Sequence, residues 1–178
     1  MATTYTLISS VTVGSGGAAN IEFTSIPATY TDLVLVHSLR ATNSSSARSE
    51  DTLLIRINGD STGANYTIRY LSGNGASASS GTVTSGYNGA YAGDFNGSTS
   101  TANTFANGSF YIPNYAGSNQ KSYSADMVQE ANATTAYMSL QAGLYNQTTA
   151  ITSLTLIDHN SNNFAQYSTT YLYGISNA

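Results

Sequence analysis

Apolar residues in this chain recur at every second position. No stretch of ten or more residues carries the 3.6-residue apolar spacing, with start and stop signals, that an amphipathic helix requires. A two-residue period puts alternate side chains on opposite faces of an extended strand. Tyr5, Leu7, Val11 and Val13 keep to alternate positions before the turn Gly14-Ser15-Gly16-Gly17, and Ile21, Phe23 and Ile26 resume before Pro27. Residues 32–40 carry Leu33, Leu35 and Leu39 on one face and Val34 and Val36 on the other, which predicts a strand buried between layers. Leu53, Ile55 and Ile57 end at Asn58-Gly59-Asp60, and Tyr66, Ile68 and Tyr70 follow that turn. In the last third, Phe110 and Ile112 precede Pro113, and Tyr123, Ala125 and Met127 alternate. Ala136, Met138, Leu140, Ala142 and Leu144 make five alternating apolar positions. Ile151, Leu154, Leu156 and Ile157 come next, and Tyr171, Tyr173 and Ile175 share one face of a terminal strand.

This pattern predicts an all-β fold: an antiparallel two-sheet sandwich, jelly-roll-like, of about eight to ten strands. The listed alternate residues are expected in the core. The 178 residues suit one domain, 1–178. Residues 41–51 read as a polar loop. Residues 72–107, rich in Ser, Gly, Thr and Asn, read as a long middle loop pinned by its aromatics, with a short strand around 82–85.

Charge narrows the function. Only 8% of residues are charged, against roughly 25% in an average soluble domain. The exterior must therefore rely on hydroxyls and amides, with little long-range repulsion, which suits close packing against copies or a larger assembly. The net charge is −4 and Lys121 is the sole lysine, so nothing supplies the basic track a nucleic-acid partner needs; Arg56 and Arg69 are too sparse. The chain has no cysteine, which excludes disulfides, thiolate catalysis and zinc–cysteine sites. The start has no basic-then-apolar leader, and the longest aliphatic run, Leu33-Val34-Leu35-Val36, is too short to span a bilayer, so synthesis in a cytoplasm and no membrane partner are expected.

Motifs for chemistry are thin, and the reading is of a protein that is not an enzyme and takes no cofactor or metal. His37 lies in an apolar strand and reads as a packed, hydrogen-bonded core histidine. Asp158-His159 with Ser161 invites comparison with a triad, but neighbouring strand residues point apart and no Gly-x-Ser-x-Gly elbow is present. Asp94, Asp126, Glu130 and Asp158 are the acids available for glycoside hydrolysis, and read as solvated. The run 58–63 has the oxygen-rich look of a calcium loop, but Arg69 stands where a closing Glu is needed, so it reads as a turn. Sequons at Asn43, Asn65, Asn96, Asn107, Asn132 and Asn146 follow from the abundance of Asn, Ser and Thr. The informative excess is 14 Tyr with no Trp. Tyrosine offers a large contact surface with a polar tip. Tyr87, Tyr91, Phe95 and Tyr115 lie among Gly and Asn, where they either pin loops or contact a partner protein or glycan.

Several short motifs together resemble small all-β virion proteins of tailed bacteriophages: Tyr5-Thr6-Leu7-Ile8; Ile21-Glu22-Phe23-Thr24-Ser25-Ile26-Pro27 with Tyr30-Thr31-Asp32-Leu33; Ile55-Arg56-Ile57-Asn58-Gly59-Asp60; Tyr111-Ile112-Pro113-Asn114-Tyr115; and Leu172-Tyr173-Gly174-Ile175. The resemblance implies a homo-oligomer, commonly a trimer, on a virion surface, with no catalytic residue. Family members are capsid decoration (cement) proteins or tips of tail fibres. The chain has no heptad or repetitive shaft segment, which favours a compact oligomer seated on the major capsid protein. The alternative is a tail-fibre, receptor-binding or carbohydrate-binding module that contacts host-surface glycan.

Overall fold

The computed structural model describes residues 4–43, 50–83, 87–132 and 136–176, without the side chains of residues 50 and 83. Twelve strands form: β1 (Tyr5–Thr12), β2 (Asn20–Phe23), β3 (Asp32–Leu39), β4 (Glu50–Ile57), β5 (Tyr66–Gly73), β6 (Ala78–Val83), β7 (Ala90–Asn96), β8 (Ala106–Pro113), β9 (Lys121–Gln129), β10 (Tyr137–Tyr145), β11 (Leu154–Asp158) and β12 (Thr169–Ile175). Among the described residues the sole helical element is one 3₁₀ turn, Gly63–Asn65. The strands build two antiparallel sheets, ordered β1-β12-β3-β8-β9-β10-β5-β6 and β2-β11-β4-β7.

The wiring is that of a jelly roll with two insertions. Without β5–β6 and β9–β10, the sheets reduce to β1-β12-β3-β8 and β2-β11-β4-β7, each of four strands, and the chain crosses between them as two interlocked Greek keys. The inserted hairpins both join the edge beyond β8 and double that sheet to eight strands. They account for the excess over the eight to ten strands expected.

One continuous core lies between the sheets, from Ile21 and Phe23 on β2 through Leu33, Leu35 and Leu39 on β3 to Leu53, Ile55 and Ile57 on β4, with Phe110, Ile112, Leu154, Leu156 and Leu172. The turn at Asn58-Gly59 forms with positive φ at both residues (53° and 71°), as the Asn-Gly pair predicts.

The structure corrects the reading of 72–107 as a long loop. It holds β6 and β7, and its longest described stretch without strand is 97–105. Gly and Ser had masked these strands because such residues carry weak strand signals. Residues 84–86, part of the strand expected near 82–85, and 44–49 of the polar loop lie outside the described residues.

Four strands correct the expected facing. On β3 one face is buried, but Val36 is 43% exposed. On β1 the pairing with β12 shifts between Leu7 and Ser9, a β-bulge. The extra residue turns Tyr5 and Leu7 outward while Val13 remains inside. On β12 the buried side chains are Thr170 and Leu172, and Tyr171 points out. On β10, Met138, Leu140 and Ala142 face solvent, whereas Ser139, Gln141 and Tyr145 face inward. The interior is narrow there: a Cβ on Gly93 of β7 would meet the side chains of Met127 and Ser139, so the inner positions of β10 opposite β7 admit only small or slender groups.

Candidate functional site

The outer face of the eight-stranded sheet stands out. Among the described residues nine large hydrophobic side chains are exposed, and all except Tyr167 belong to this one face. Register places them in two lobes. Tyr5, Leu7, Tyr171 and Val36 lie on β1, β12 and β3, with Leu7 opposite Tyr173 and Tyr171 opposite Val36. Leu71, Leu140, Met138 and Val128 lie on β5, β10 and β9, with Leu140 directly between Leu71 and Asp126, and Met138 opposite Val128. Leu71, Met138 and Leu140 are each more than half exposed, at 54%, 59% and 54%. Leu71, Ala78, Met138 and Leu140 line a shallow cavity of about 210 Å³.

Between the lobes runs a polar strip whose members satisfy one another. The Ser109 hydroxyl donates to Asp126, and the Tyr111 hydroxyl donates to Asp32 at 2.9 Å. That bond raises the Tyr111 pKa, because the phenol proton is held by the carboxylate. Asp32 also accepts the backbone N–H of Asn114 at 2.9 Å. Arg69 is exposed beside Ala142, and Glu130 lines a cavity with Val128 and Met138 at the end of the second lobe. Exposed apolar side chains gathered on one face are a feature of protein interaction surfaces.

A second feature gathers aromatics at the end of the smaller sheet. Tyr87 stacks on Tyr91 with ring centroids 5.5 Å apart, and meets the His159 ring edge-on at 4.9 Å. Tyr70 meets Tyr91 edge-on at 6.4 Å. The Tyr91 hydroxyl donates to Asp94 at 3.1 Å, and the Thr52 hydroxyl donates to the same carboxylate at 3.0 Å. Burial raises the Tyr87 pKa, and Asp94 and Tyr70 add to the effect. Beside this cluster, Arg56, Asn88, Ile157, His159 and Ser161 line a cavity of about 210 Å³, and the Arg56 Nε donates to the Asn88 carbonyl at 3.1 Å.

The four aromatics singled out from the sequence therefore divide. Tyr87 and Tyr91 come together, with Tyr91 largely covered and Tyr87 half-buried. Phe95 and Tyr115 are fully buried and offer no surface to a partner. Phe95 packs against Phe164 at 5.6 Å, and Tyr115 ties the loop after β8 to the Pro27 carbonyl.

The other flagged groups have structural duties. The Asp158 carboxylate accepts the backbone N–H groups of Asn160 and Asn162 at 3.1 and 2.9 Å, while the His159 ring lies on Tyr87, so the two are not an acid–histidine pair. The side chains of Asn160 and Asn162 both reach Asp51, joining two buried carboxylates through one turn. Glu130 accepts the N–H of Asn132. Asp60 accepts from Thr62 and Asn65 within its own turn and from the Tyr145 hydroxyl at the end of β10. Burial raises the Asp60 pKa, but those hydrogen bonds outweigh it and hold the carboxyl below its ordinary value. His37 is packed as expected, yet both ring nitrogens lack a hydrogen-bond partner, and burial lowers its pKa to about 4. Among the described residues no group of three or more His, Asp or Glu could hold a metal ion, and no helix is long and apolar enough to cross a membrane.

Sequence reasoning missed the apolar face because alternation shows that a strand has two faces without saying which one meets the core. The missed signal lay in β10, where Ser139 and Gln141 alternate with a purely apolar set. No protein-family model matches the chain, and no curated protein is significantly similar to it.

Proposed function

We propose that this chain is a structural component of a virion, a decoration protein that seats as a homo-oligomer on the outer surface of a tailed-phage capsid and stabilises the shell. The observation that supports this reading is the outer face of the eight-stranded sheet, which concentrates exposed apolar side chains on a surface with few charged residues, Asp32, Arg69 and Asp126 among them and Glu130 at the end beside Val128. Such a face gains free energy when covered and has few charges to desolvate. Bound subunits stabilise an assembled lattice by mass action, because they bind the closed shell and not its dissociated parts. Capsids lacking this protein should assemble yet release their contents at lower temperature than complete particles, and adding the purified chain back should restore the higher value. Particles that are equally heat-resistant without it would contradict the decoration role.

The cavity beside Tyr87 and His159 favours a second reading, a glycan-binding module. A half-buried aromatic ring next to guanidinium, amide and hydroxyl groups offers stacking and hydrogen bonds to a sugar. Particles that stay robust but fail to adsorb to cells when Tyr87 is replaced by alanine would select this reading.

A further inference from the structure

We propose that the lobe formed by β9, β10 and β5 docks a second copy of this chain, face to face, about a two-fold axis running along β10. The proposal rests on the assembly reading above and names the occupant of part of that face.

Three observations lead to a second copy. The first is charge. Register puts Leu71, Leu140 and Asp126 in one row across the lobe, and Arg69, Ala142 and Ser124 in the next. A two-fold axis along β10 lays β5 of one copy over β9 of the other. Arg69 then lies one row, roughly 7 Å, along the strand from the second copy's Asp126 and roughly 10 Å across the gap between the sheets, about 12 Å between Cα atoms, which the arginine and aspartate side chains span together. The contact is made twice by symmetry. Among the described residues of its own chain the Arg69 guanidinium has a single long bond, 3.4 Å, to the Ile68 carbonyl, which leaves donors for a second copy.

The second is shape. The cavity among Leu71, Ala78, Met138 and Leu140 sits beside the protruding Met138 and Leu140 side chains, so the lobe carries both knob and hole. Two-fold pairing needs one self-complementary patch, whereas a three-fold ring needs two different complementary ones. The third is area. Overlap of five strands, β8 to β6, at ordinary strand spacing and length covers about 600 Å² per copy. The total, about 1,200 Å², reaches the lower bound of a specific interface. The lobe on β1, β12 and β3 lies outside this overlap and stays open to another partner.

Sedimentation velocity and native mass spectrometry of the full chain, from about 1 μM to about 500 μM, test the proposal. The expected result is a concentration-dependent dimer. Leu140→Asp, an outward substitution, should leave the circular dichroism and melting temperature unchanged and abolish the dimer; Leu71→Lys should do the same. Arg69→Asp and Asp126→Arg should each weaken the dimer about tenfold, and the double exchange should restore it. A monomer throughout, a trimer, or a dimer untouched by Leu140→Asp would overturn the proposal. Shell binding separates the two readings. A monomeric chain that binds shells and loses them with Leu140→Asp defeats the pairing but keeps the assembly role. A dimer that behaves as expected while shells bind nothing keeps the pairing and defeats the decoration role.

Discussion

Tyrosine–glycine contacts explain much of the unusual composition. Gly143 on β10 lies beneath the Tyr123 ring of β9, where any Cβ would enter the ring, and Gly174 on β12 is covered in the same way by Tyr30. Each large ring needs the space a side chain would take, so the pair acts as one packing unit. Tyr123 also stacks on Phe110 at 4.7 Å, which leaves it no direction to move. Gly143→Ala should therefore cost about 3 kcal/mol by overpacking. Urea unfolding should show the loss, and Tyr123→Leu in the same chain should recover part of it. If Gly143→Ala alone is neutral, the ring is not fixed as described. Lys121 shows the same economy: the only lysine is buried, and its ammonium donates to the carbonyls of Gly117 and Thr148 at 2.8 and 3.2 Å and to that of Asn119. Burial lowers its pKa.

Among the elements, the segment 97–105 shows how a strandless stretch can be ordered. The Arg40 guanidinium, just past β3, donates to four of its carbonyls: Thr101 and Thr104 through Nη1 at 2.9 and 2.8 Å, Ser98 and Ser100 through Nη2 at 3.1 and 2.9 Å. A planar fork places two donors in each direction, which an ammonium cannot imitate. Arg40→Ala should cost about 2 kcal/mol, and Arg40→Lys should not rescue it. Hydrogen exchange should quicken at 97–105 with the strands unchanged; unaltered protection there would remove Arg40 from this role. The inserted hairpins matter differently. β9–β10 and β5–β6 widen one sheet without widening the other, so the sandwich is lopsided. Cross-sheet contact to the insertions comes chiefly from β7.

For the whole molecule, His37 couples folding to pH. Its pKa is about 4 in the fold, against 6.5 when exposed. Below pH 6.5 the unfolded chain takes up a proton that the folded chain refuses, so stability falls with pH down to about 4 and is flat above 6.5 as far as this group is concerned. The full loss is roughly 3 kcal/mol. His37→Leu should flatten the slope of melting temperature against pH between 6.5 and 4 and should not destabilise the protein at pH 7, since it also removes two unsatisfied nitrogens. A wild-type slope that persists in this variant would assign the acid sensitivity to the carboxylates, such as Asp60, whose lowered pKa has the same sign of effect.

Period and turn chemistry were legible from residues alone. Two-residue alternation implied strands, the Asn58-Gly59 pair implied its hairpin turn, and Leu53, Ile55, Ile57, Tyr123 and Met127 were placed in the core correctly. These are local properties, set by a strand's own geometry. Which face of a strand turns inward is not local. It depends on the layer opposite, on a bulge such as that between Leu7 and Ser9, and on the close approach of Gly93 that leaves β10 space only for Ser139 and Gln141 inside. Those packing constraints turned the strongest apolar pattern in the chain outward. They also separated Phe95 and Tyr115, now core, from the stacked Tyr87 and Tyr91, of which Tyr87 meets His159 from the turn after β11. Alternation carries no information about what lies across the sandwich, and the exposed apolar face exists because of what lies there.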